Sequence, residues 1–371
     1  MGHEVYVTAG RVPALATVSR YCRGKAQLPP AMAHPEEAGK ALLSLVDRWG
    51  IDVVLPATDV WSHIVLRRFG GHVGRAVVAA PELAAFEELS NKAKLLERAR
   101  QAGLAVPKSV VARDASEVRE AVAQVGIPCI LKPHTSIVVV NRVAHGHGVR
   151  RIGSIQDLDP PFPESAFPVV AQEFVPGRGE GVFLLVDRDR LVAAFAHRRL
   201  REKPPEGGVS VYRESIPLDP GLVAACARLL ASVGWRGAAM IEFRRRPTGE
   251  AVVMEVNGRL WGSLQLAVDS GVDFASLLVG LFLGAPLRPV EGYQVGVRTR
   301  WLWGDVDHLL IRLRRLGRRG PAADPLPTLP RAFWDFFVGF GRLGDGLEVL
   351  DRRDLRPFLR ETLDWLRGRS A

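Results

Sequence analysis

The chain has 371 residues, of which 47% are hydrophobic, 24% charged and 7% aromatic. That balance excludes a disordered chain, a collagen-like fibre and a membrane channel, and the length suits two or three domains. Fifty Lys and Arg against 40 Asp and Glu give a formal charge of +10, yet only seven of the basic residues are lysine, so an arginine-rich background competes with a polyanionic partner as the source of the surplus.

The first segment alternates short strands with helical patterns. Glu4–Thr8 reads as a strand. Pro35–Trp49 reads as an amphipathic helix with Ala38, Ala41, Leu42, Leu45 and Val46 on one stripe. Ile51–Pro56 suits a central parallel strand, Trp61–Phe69 a helix and Ala76–Ala80 another strand. This is the rhythm of a doubly wound parallel half domain, expected over 1–88 with its first strand–helix unit missing.

Ser90 is expected to cap a helix over Asn91–Ala102, closed by Gly103. A helix over Glu117–Val125 and a strand over Ile127–Lys132 follow. Strands are expected at Val169–Phe174, Gly181–Val186 and Leu191–His197, and a helix at Gly221–Val233. Ala238–Phe243 and Ala251–Val256 read as a hairpin, and Phe274–Leu283 as a helix. Beyond residue 290 the character changes: half of the eight Trp, a basic run Arg312–Arg319 and a proline-rich stretch Pro321–Pro330 precede two helices, Phe333–Phe340 and Leu355–Arg367. Residues 290–371 therefore read as a helical C-terminal extension.

Three cysteines, Cys22, Cys129 and Cys226, stand far apart with no CxxC spacing, which fits a reducing cytoplasm. Cys129 falls in an apolar strand and reads as core. No signal-peptide pattern opens the chain. The most apolar stretch, Phe274–Leu287, is broken by glycines and a proline and is too short to span a bilayer.

The hairpin carries the sharpest chemistry. Pro247-Thr248-Gly249 supplies the turn, and with Thr248 and Gly249 at its tip Glu242 falls opposite Glu255. Asn257 lies two residues on, on the same face. Two opposed carboxylates among apolar neighbours repel and lose hydration, so they need a compensating partner. Mg²⁺, which takes oxygen ligands and substrate phosphates, is such a partner. A solvated edge hairpin and a general acid–base pair compete with that reading.

Upstream stand Lys92 in the first turn of a helix and Lys132 at the end of an apolar strand, where it wants an anion. The loop 133–148 follows, able to lay backbone N–H groups over phosphates. Gln172-Glu173-Phe174-Val175-Pro176-Gly177, then Glu180, offers a strand end that suits a planar base. His197, Arg198 and Arg199, continuing through Arg201 and Lys203 to Ser210 and Arg213, form a basic cluster suited to a carboxylate or phosphate substrate, against the plain alternative of an exposed basic hairpin. Arg298, Arg300 and Asp305 read as a structural patch.

The ordered series Lys92, Lys132, Gln172–Gly177, Glu180, Glu242 and Glu255-Val256-Asn257 resembles the ATP-grasp superfamily, of the carbamoyl phosphate synthetase-like, carboxylate–amine ligase type, over roughly 50–285. The resemblance implies an ATP-grasp domain over 89–289, built of two α+β subdomains that grip ATP, the smaller lid at about 107–176. It implies that Lys92 and Lys132 contact nucleotide phosphates. Glu173 and Val175 would bracket the adenine and Glu180 the ribose. Glu242, Glu255 and Asn257 would hold one or two Mg²⁺, with Mn²⁺ as a substitute, and Arg259 would face the transferred phosphoryl group. Gly258 replaces the family's usual Pro, the loop 133–148 lacks a clear Gly-Gly-Ser pattern, and the N-terminal half domain is short.

The activity so implied is ADP-forming ligation of a small-molecule carboxylate to an amine through an acyl-phosphate. An ATP-grasp kinase acting on a small-molecule hydroxyl and a non-catalytic nucleotide-binding regulator are the alternatives. No helix-turn-helix, RNP-like or zinc pattern supports nucleic-acid binding. Peripheral membrane association of the basic, Trp-bearing C-terminal helices and a homodimer are left open.

Overall fold

The computed structural model describes residues 2–135, 138–140, 143–145, 148–205, 207–314, 328–341 and 345–368, without the side chains of 138–140, 143–145 and 339–341. Its centre is a seven-stranded sheet. The strands run in the order Ala251–Asn257, Arg236–Arg245, Arg178–Asp187, Arg190–Lys203, Val209–Ser215, Arg298–Arg300, Gly346–Leu347. All neighbours are antiparallel except the last pair.

Both faces of this sheet are covered, as period-two alternation of its apolar residues requires. On one face Val182, Leu184, Ile241 and Phe243 pack against Leu95, Leu229 and Trp235. That layer includes the helices Lys92–Gln101 and Pro220–Ala231. On the other, Phe183, Leu185, Phe195 and Met240 pack against Trp261, Leu266, Phe274 and Leu278, which brings in the helices Leu264–Asp269 and Phe274–Phe282. The second face also carries Glu242, so apolar packing at one end of it gives way to the candidate site at the other.

A smaller four-stranded sheet stands apart, in the order Arg150–Ile152, Cys129–Pro133, Val169–Glu173, Ser109–Ala112. The helix Val118–Val125 closes its own core through Val118, Ala121 and Val122. This sheet falls within the segment 107–176, and Cys129 is buried in its core. The two sheets together make the two-subdomain α+β architecture expected of a nucleotide grip.

The N-terminal part is α/β but more broken than its apolar pattern suggests. Val5–Ala9 pairs in parallel with Cys22–Gln27, a strand whose alternating exposure hid it from a search for apolar runs. Val53–Val54 pairs in parallel with Ala76–Val78, which His72–Val73 flanks antiparallel. The parallel pairs thus sit in two short sheets. The helices Pro35–Trp49 and Asp59–Phe69 stand where expected.

The segment beyond residue 290 does more than add the helices Leu302–Arg314, Leu329–Gly341 and Arg356–Leu366. It also supplies the last two strands of the central sheet. Most of Arg312–Arg319 and of Pro321–Pro330 lies outside the described residues. Among the described residues, no helix is long and apolar enough to cross a membrane.

Candidate active site

Glu242 and Glu255 are cross-strand partners, and Asn257 stands opposite Met240. The pairing arises by a different route from the turn assumed above. The tip is one residue longer, Pro247–Gly249, with the Arg246 N–H donating to the Glu250 carbonyl, and the register then shifts between Glu242 and Phe243. One extra residue around Met254 bulges from the second strand and brings Glu255 into line. Asn257 Nδ2 donates to Glu255 Oε1 at 3.0 Å, which leaves the amide oxygen free.

The electrostatics of the pair are lopsided. Burial raises the pKa of Glu242; the Arg199 guanidinium pulls it back and the Glu255 charge pushes it up again. Burial also acts to raise Glu255, but the Asn257 hydrogen bond and the charges of Lys92, Lys132 and Arg199 outweigh it, and its pKa is lowered. Glu255 is therefore the firmly ionised member. Arg199 forms an ion pair with Glu242 and a second with Glu202 at 3.0 Å. Burial disfavours its charge, but the two carboxylates more than restore it and its pKa rises.

Lys92 and Lys132 are both buried. The helix Lys92–Gln101 is capped by Asn91, not Ser90: Asn91 Oδ1 accepts from the N–H groups of Ala93 and Lys94. The Lys92 N–H in turn donates to the His134 carbonyl at 2.7 Å, which ties the lid strand to this helix. Lys132 Nζ donates to Gln172 Oε1 at 2.7 Å, and Gln172 Nε2 donates to Ser109 Oγ. Burial lowers the pKa of Lys92. Burial and the neighbouring Lys92 charge push Lys132 down to about 8, against the pull of Glu255 and Glu242. Two buried ammonium groups of reduced basicity beside an acidic pair await an anion. A cavity of about 490 Å³ opens beside them, lined by Asp59, Lys92, His134, Glu255 and Asn257 among others.

Arg259 is held by the lining residue Asp59, Nε to Oδ1 at 3.0 Å and Nη2 to Oδ2 at 3.2 Å. Asp59 is a site neighbour that the sequence reading passed over, and Gln172, named there only as part of the strand end, is the partner of Lys132. Asp59 follows the helix cap Thr58, and Gln172 lies two residues beyond Val170, the strand partner of Lys132. Gly258 follows Asn257 for a steric reason: a Cβ there would stand 2.7 Å from the Trp235 ring. No proline ring fits.

The three residues expected around a base stand at the junction of lid and hairpin. Val175 is buried. Arg246 Nη2 donates to Glu173 Oε1 at 2.7 Å, and Arg245 Nε donates to Glu180 Oε2 at 2.6 Å. Glu180 is the cross-strand partner of Phe243, one position out of phase with Glu242, so it projects from the opposite face. The structure does not bring Glu180 to the carboxylate pair. Within the loop 133–148, Val138–Val140 pairs antiparallel with Val143–His145, and 136–137, 141–142 and 146–147 lie outside the described residues.

The basic cluster is split by the sheet. His197 and Arg199 pair with Ser215 and Arg213 on the face of Glu242. Arg198 points the other way, into an ion pair with Glu214 at 2.5 Å, and so leaves the expected substrate cluster. Beyond a register shift, Arg201 grips Asp305 with two bonds of 2.6 Å and Lys203 reaches Asp307 at 2.6 Å. These residues fasten the C-terminal segment to the sheet. Arg300 adds to that seam, donating to the Phe336 carbonyl at 3.0 Å. Ser210 and Arg213 remain on the side of His197 and Arg199, with Arg213 Nη1 donating to the Ser210 carbonyl at 2.8 Å.

Among the described residues, no group of three or more His, Cys, Asp or Glu side chains is placed to hold a metal. The donor set at the hairpin is two carboxylates and an amide oxygen, all hard ligands that leave room for phosphate oxygens. Those residues fit Mg²⁺ and lack the imidazole and thiolate ligands that favour zinc and copper.

A family model described as "ATP-grasp in the biosynthetic pathway with Ter operon" matches residues 166–303. A formate-dependent phosphoribosylglycinamide formyltransferase of Anaeromyxobacter dehalogenans (strain 2CP-C) is 25% identical over 329 residues, which is 80% of this chain and 78% of that protein. Among solved structures, a biotin carboxylase from Campylobacter jejuni in complex with a β,γ-ATP compound superposes with a TM-score of 0.61 at 16% identity, covering 79% of this chain and 68% of that one. An N5-carboxyaminoimidazole synthetase from Staphylococcus aureus with ADP gives 0.61 at 14% identity, covering 80% and 75%.

Proposed function

We propose, on the match of residues 166–303 to an ATP-grasp family model and the shared fold, that the chain is an ATP-grasp enzyme: an ATP- and Mg²⁺-dependent ligase that activates a small-molecule carboxylate and passes it to an amine or related nucleophile. The observation that carries this reading is the buried pair Glu242 and Glu255 with Asn257, set among Lys92, Lys132 and Arg199. Such a set buries too many charges, two of them opposed carboxylates, to be a stable core and has too little exposure to be a solvated face.

Glu242, Glu255 and the Asn257 amide oxygen would hold Mg²⁺, which supplies neutralisation of the charge on the β- and γ-phosphates. Lys92 and Lys132 hold phosphate oxygens from the two subdomains, so closure of the lid brings them together. Burial lowers the local dielectric and strengthens each of these attractions. Glu173 and Val175 meet the base at the subdomain junction, and Glu180 meets the ribose once Arg245 yields it. Arg259 turns from Asp59 towards the transferred group.

The substrate carboxylate oxygen attacks the γ-phosphorus, and the bond from that phosphorus to the bridging oxygen of ADP breaks. The acyl-phosphate then accepts the nucleophile at its carbonyl carbon; phosphate leaves, and the amine gives up a proton. Positioning and charge neutralisation do the work, so no serine or cysteine nucleophile is needed.

An ADP-release screen of carboxylates against amines tests this. We expect a productive pair whose turnover requires Mg²⁺ and collapses in Glu255→Gln and Lys132→Ala. Full activity in either variant would overturn the assignment of the site. ADP release that needs a hydroxyl compound and no amine would instead mark a kinase.

A further inference from the structure

Next to the carboxylate pair the sheet has a bare floor. Gly181 stands between Glu242 on one neighbouring strand and His197 on the other. Gly179, two residues away on the same face, is the partner of Arg244. A Cβ on Gly179 would come within 2.6 Å of Arg199 Cδ, and one on Gly181 within 3.0 Å of His197 Cδ2. Gly179 therefore lets Arg199 lie across the sheet as far as Glu242, and Gly181 leaves room for the His197 ring.

On the far side of this floor Arg199 and Arg213 are direct cross-strand partners. Arg213 is 2% exposed. Like charges so placed repel, and their acidic neighbours stand outside them: Glu242 and Glu202 beside Arg199, and Glu348 of the C-terminal segment beside Arg213. Four buried polar atoms here have no hydrogen-bond partner: Nε of Arg199, Nε of Arg213, Nδ1 of His197 and Oγ of Ser210. Buried donors are ordinarily satisfied, so four in adjoining positions on one face point to a missing acceptor. The contrast with Arg201 is sharp, since its Nε and Nη2 both bond to Asp305.

The acceptor is small and anionic. A carboxylate accepts a forked guanidinium and further donors at once. His197 is neutral in these surroundings, because burial and the charges of Arg199 and Arg213 hold its pKa well below the usual value. It can therefore offer one N–H without adding charge. Arg199 has a prior claim, however, through its ion pair with Glu242. A divalent cation on Glu242 would neutralise that claim and leave the guanidinium for a new anion.

We propose that Arg199 and Arg213, with His197 and Ser210, bind the carboxylate of the substrate that is to be phosphorylated, and that Arg199 becomes available to it once a divalent cation has taken Glu242. Carboxylate binding then follows cation binding, and the anion is delivered next to the metal carboxylates, where the phosphoryl group is transferred. The assignment rests on the Mg²⁺–ATP reading of Glu242 and Glu255.

Two titrations on the full chain test it. In the first, Mn²⁺ binding in the presence of ADP is followed by electron paramagnetic resonance. Arg199→Met removes the competitor for Glu242 and should bind Mn²⁺ at least about threefold more tightly than the wild type, whereas unchanged or weaker binding would overturn the displacement. In the second, acetate, succinate and the twenty standard amino acids are scanned by thermal shift with Mg²⁺ and a non-hydrolysable ATP analogue. At least one carboxylate should bind, only with the cation present, and lose about tenfold or more in affinity in Arg213→Lys, which keeps the charge and loses the fork. Arg198→Met, on the opposite face, should bind it as the wild type does. Binding by no member of the panel, or binding indifferent to the cation or to Arg213→Lys, would overturn the proposal. Should Arg213→Lys not fold, the double variant Arg213→Met/Glu348→Gln removes both charges together and takes the same test. Loss of nucleotide binding in the wild type would strike the ATP reading instead, so the two failures are distinguishable.

Discussion

Within seven residues of one strand, arginines of the same chemistry meet two different fates. Arg201 lies against Asp305, which is 0% exposed, through two bonds of 2.6 Å. Arg199 lies against Glu242 and Glu202 with its Nε unpartnered. The first pair is saturated and can do nothing but hold the C-terminal segment to the sheet. The second has donors to spare and sits beside a carboxylate that has its own unresolved repulsion. Burial alone does not separate these two arginines, whereas the unpartnered Nε of Arg199 does.

Substitutions can break that comparison at either end. The largest expected effect is on catalysis: Glu255→Gln should lower Mg²⁺-dependent ADP release by at least about 100-fold. The chain should still fold, with a melting temperature only moderately lowered, because Lys92 and Lys132 lose a carboxylate that they hold ionised. A parallel loss of fold and activity would make the pair structural after all.

Asp305→Asn should do the reverse. Removing one partner of a buried ion pair costs about 3–5 kcal/mol, so denaturant unfolding should shift strongly while activity per folded molecule stays near that of the wild type. Protease sensitivity of the segment beyond residue 300 would confirm which seam has opened.

A smaller effect is set by pH. Lys132 titrates at about 8 in the free protein. Its charged form binds phosphate, so nucleotide affinity should weaken as pH rises through 8, towards a limiting tenfold per pH unit. Stability runs the other way: the folded state releases this proton earlier than the unfolded chain, so the cost of burying it is present below about 8 and fades as pH climbs to the model-peptide value of 10.5. Calorimetric titration of ADP between pH 7 and 9.5, in wild type and Lys132→Arg, checks the sign; the arginine variant should be flat.

Arg198→Met should do least. Its ion pair with Glu214 is shared with Arg298, which bonds the same carboxylate at 2.6 Å. A change within about 1 kcal/mol is expected, with unaltered turnover.

The central hairpin was legible because strand alternation and a strong turn place two acids opposite each other. Its success was partly compensation: the turn is one residue longer than assumed, and the bulge at Met254 restores the pairing of Glu242 with Glu255. Lys132 and Gln172 could be found singly, but their bond depends on lid register. The strands Arg298–Arg300 and Gly346–Leu347 were not legible, since two or three residues carry no period and owe their form to the neighbours they pair with. Arg201 was misjudged as part of a substrate cluster for a related reason. Only the register shift near Leu200 and a helix a hundred residues away decide what it faces.

The most direct test counts metal ions. Mn²⁺ titrated into the ADP complex and read by electron paramagnetic resonance should show one or two bound ions in the wild type, and none at the same concentrations in Glu242→Gln/Glu255→Gln. Unchanged stoichiometry in that double variant, with ADP still bound, would contradict the account.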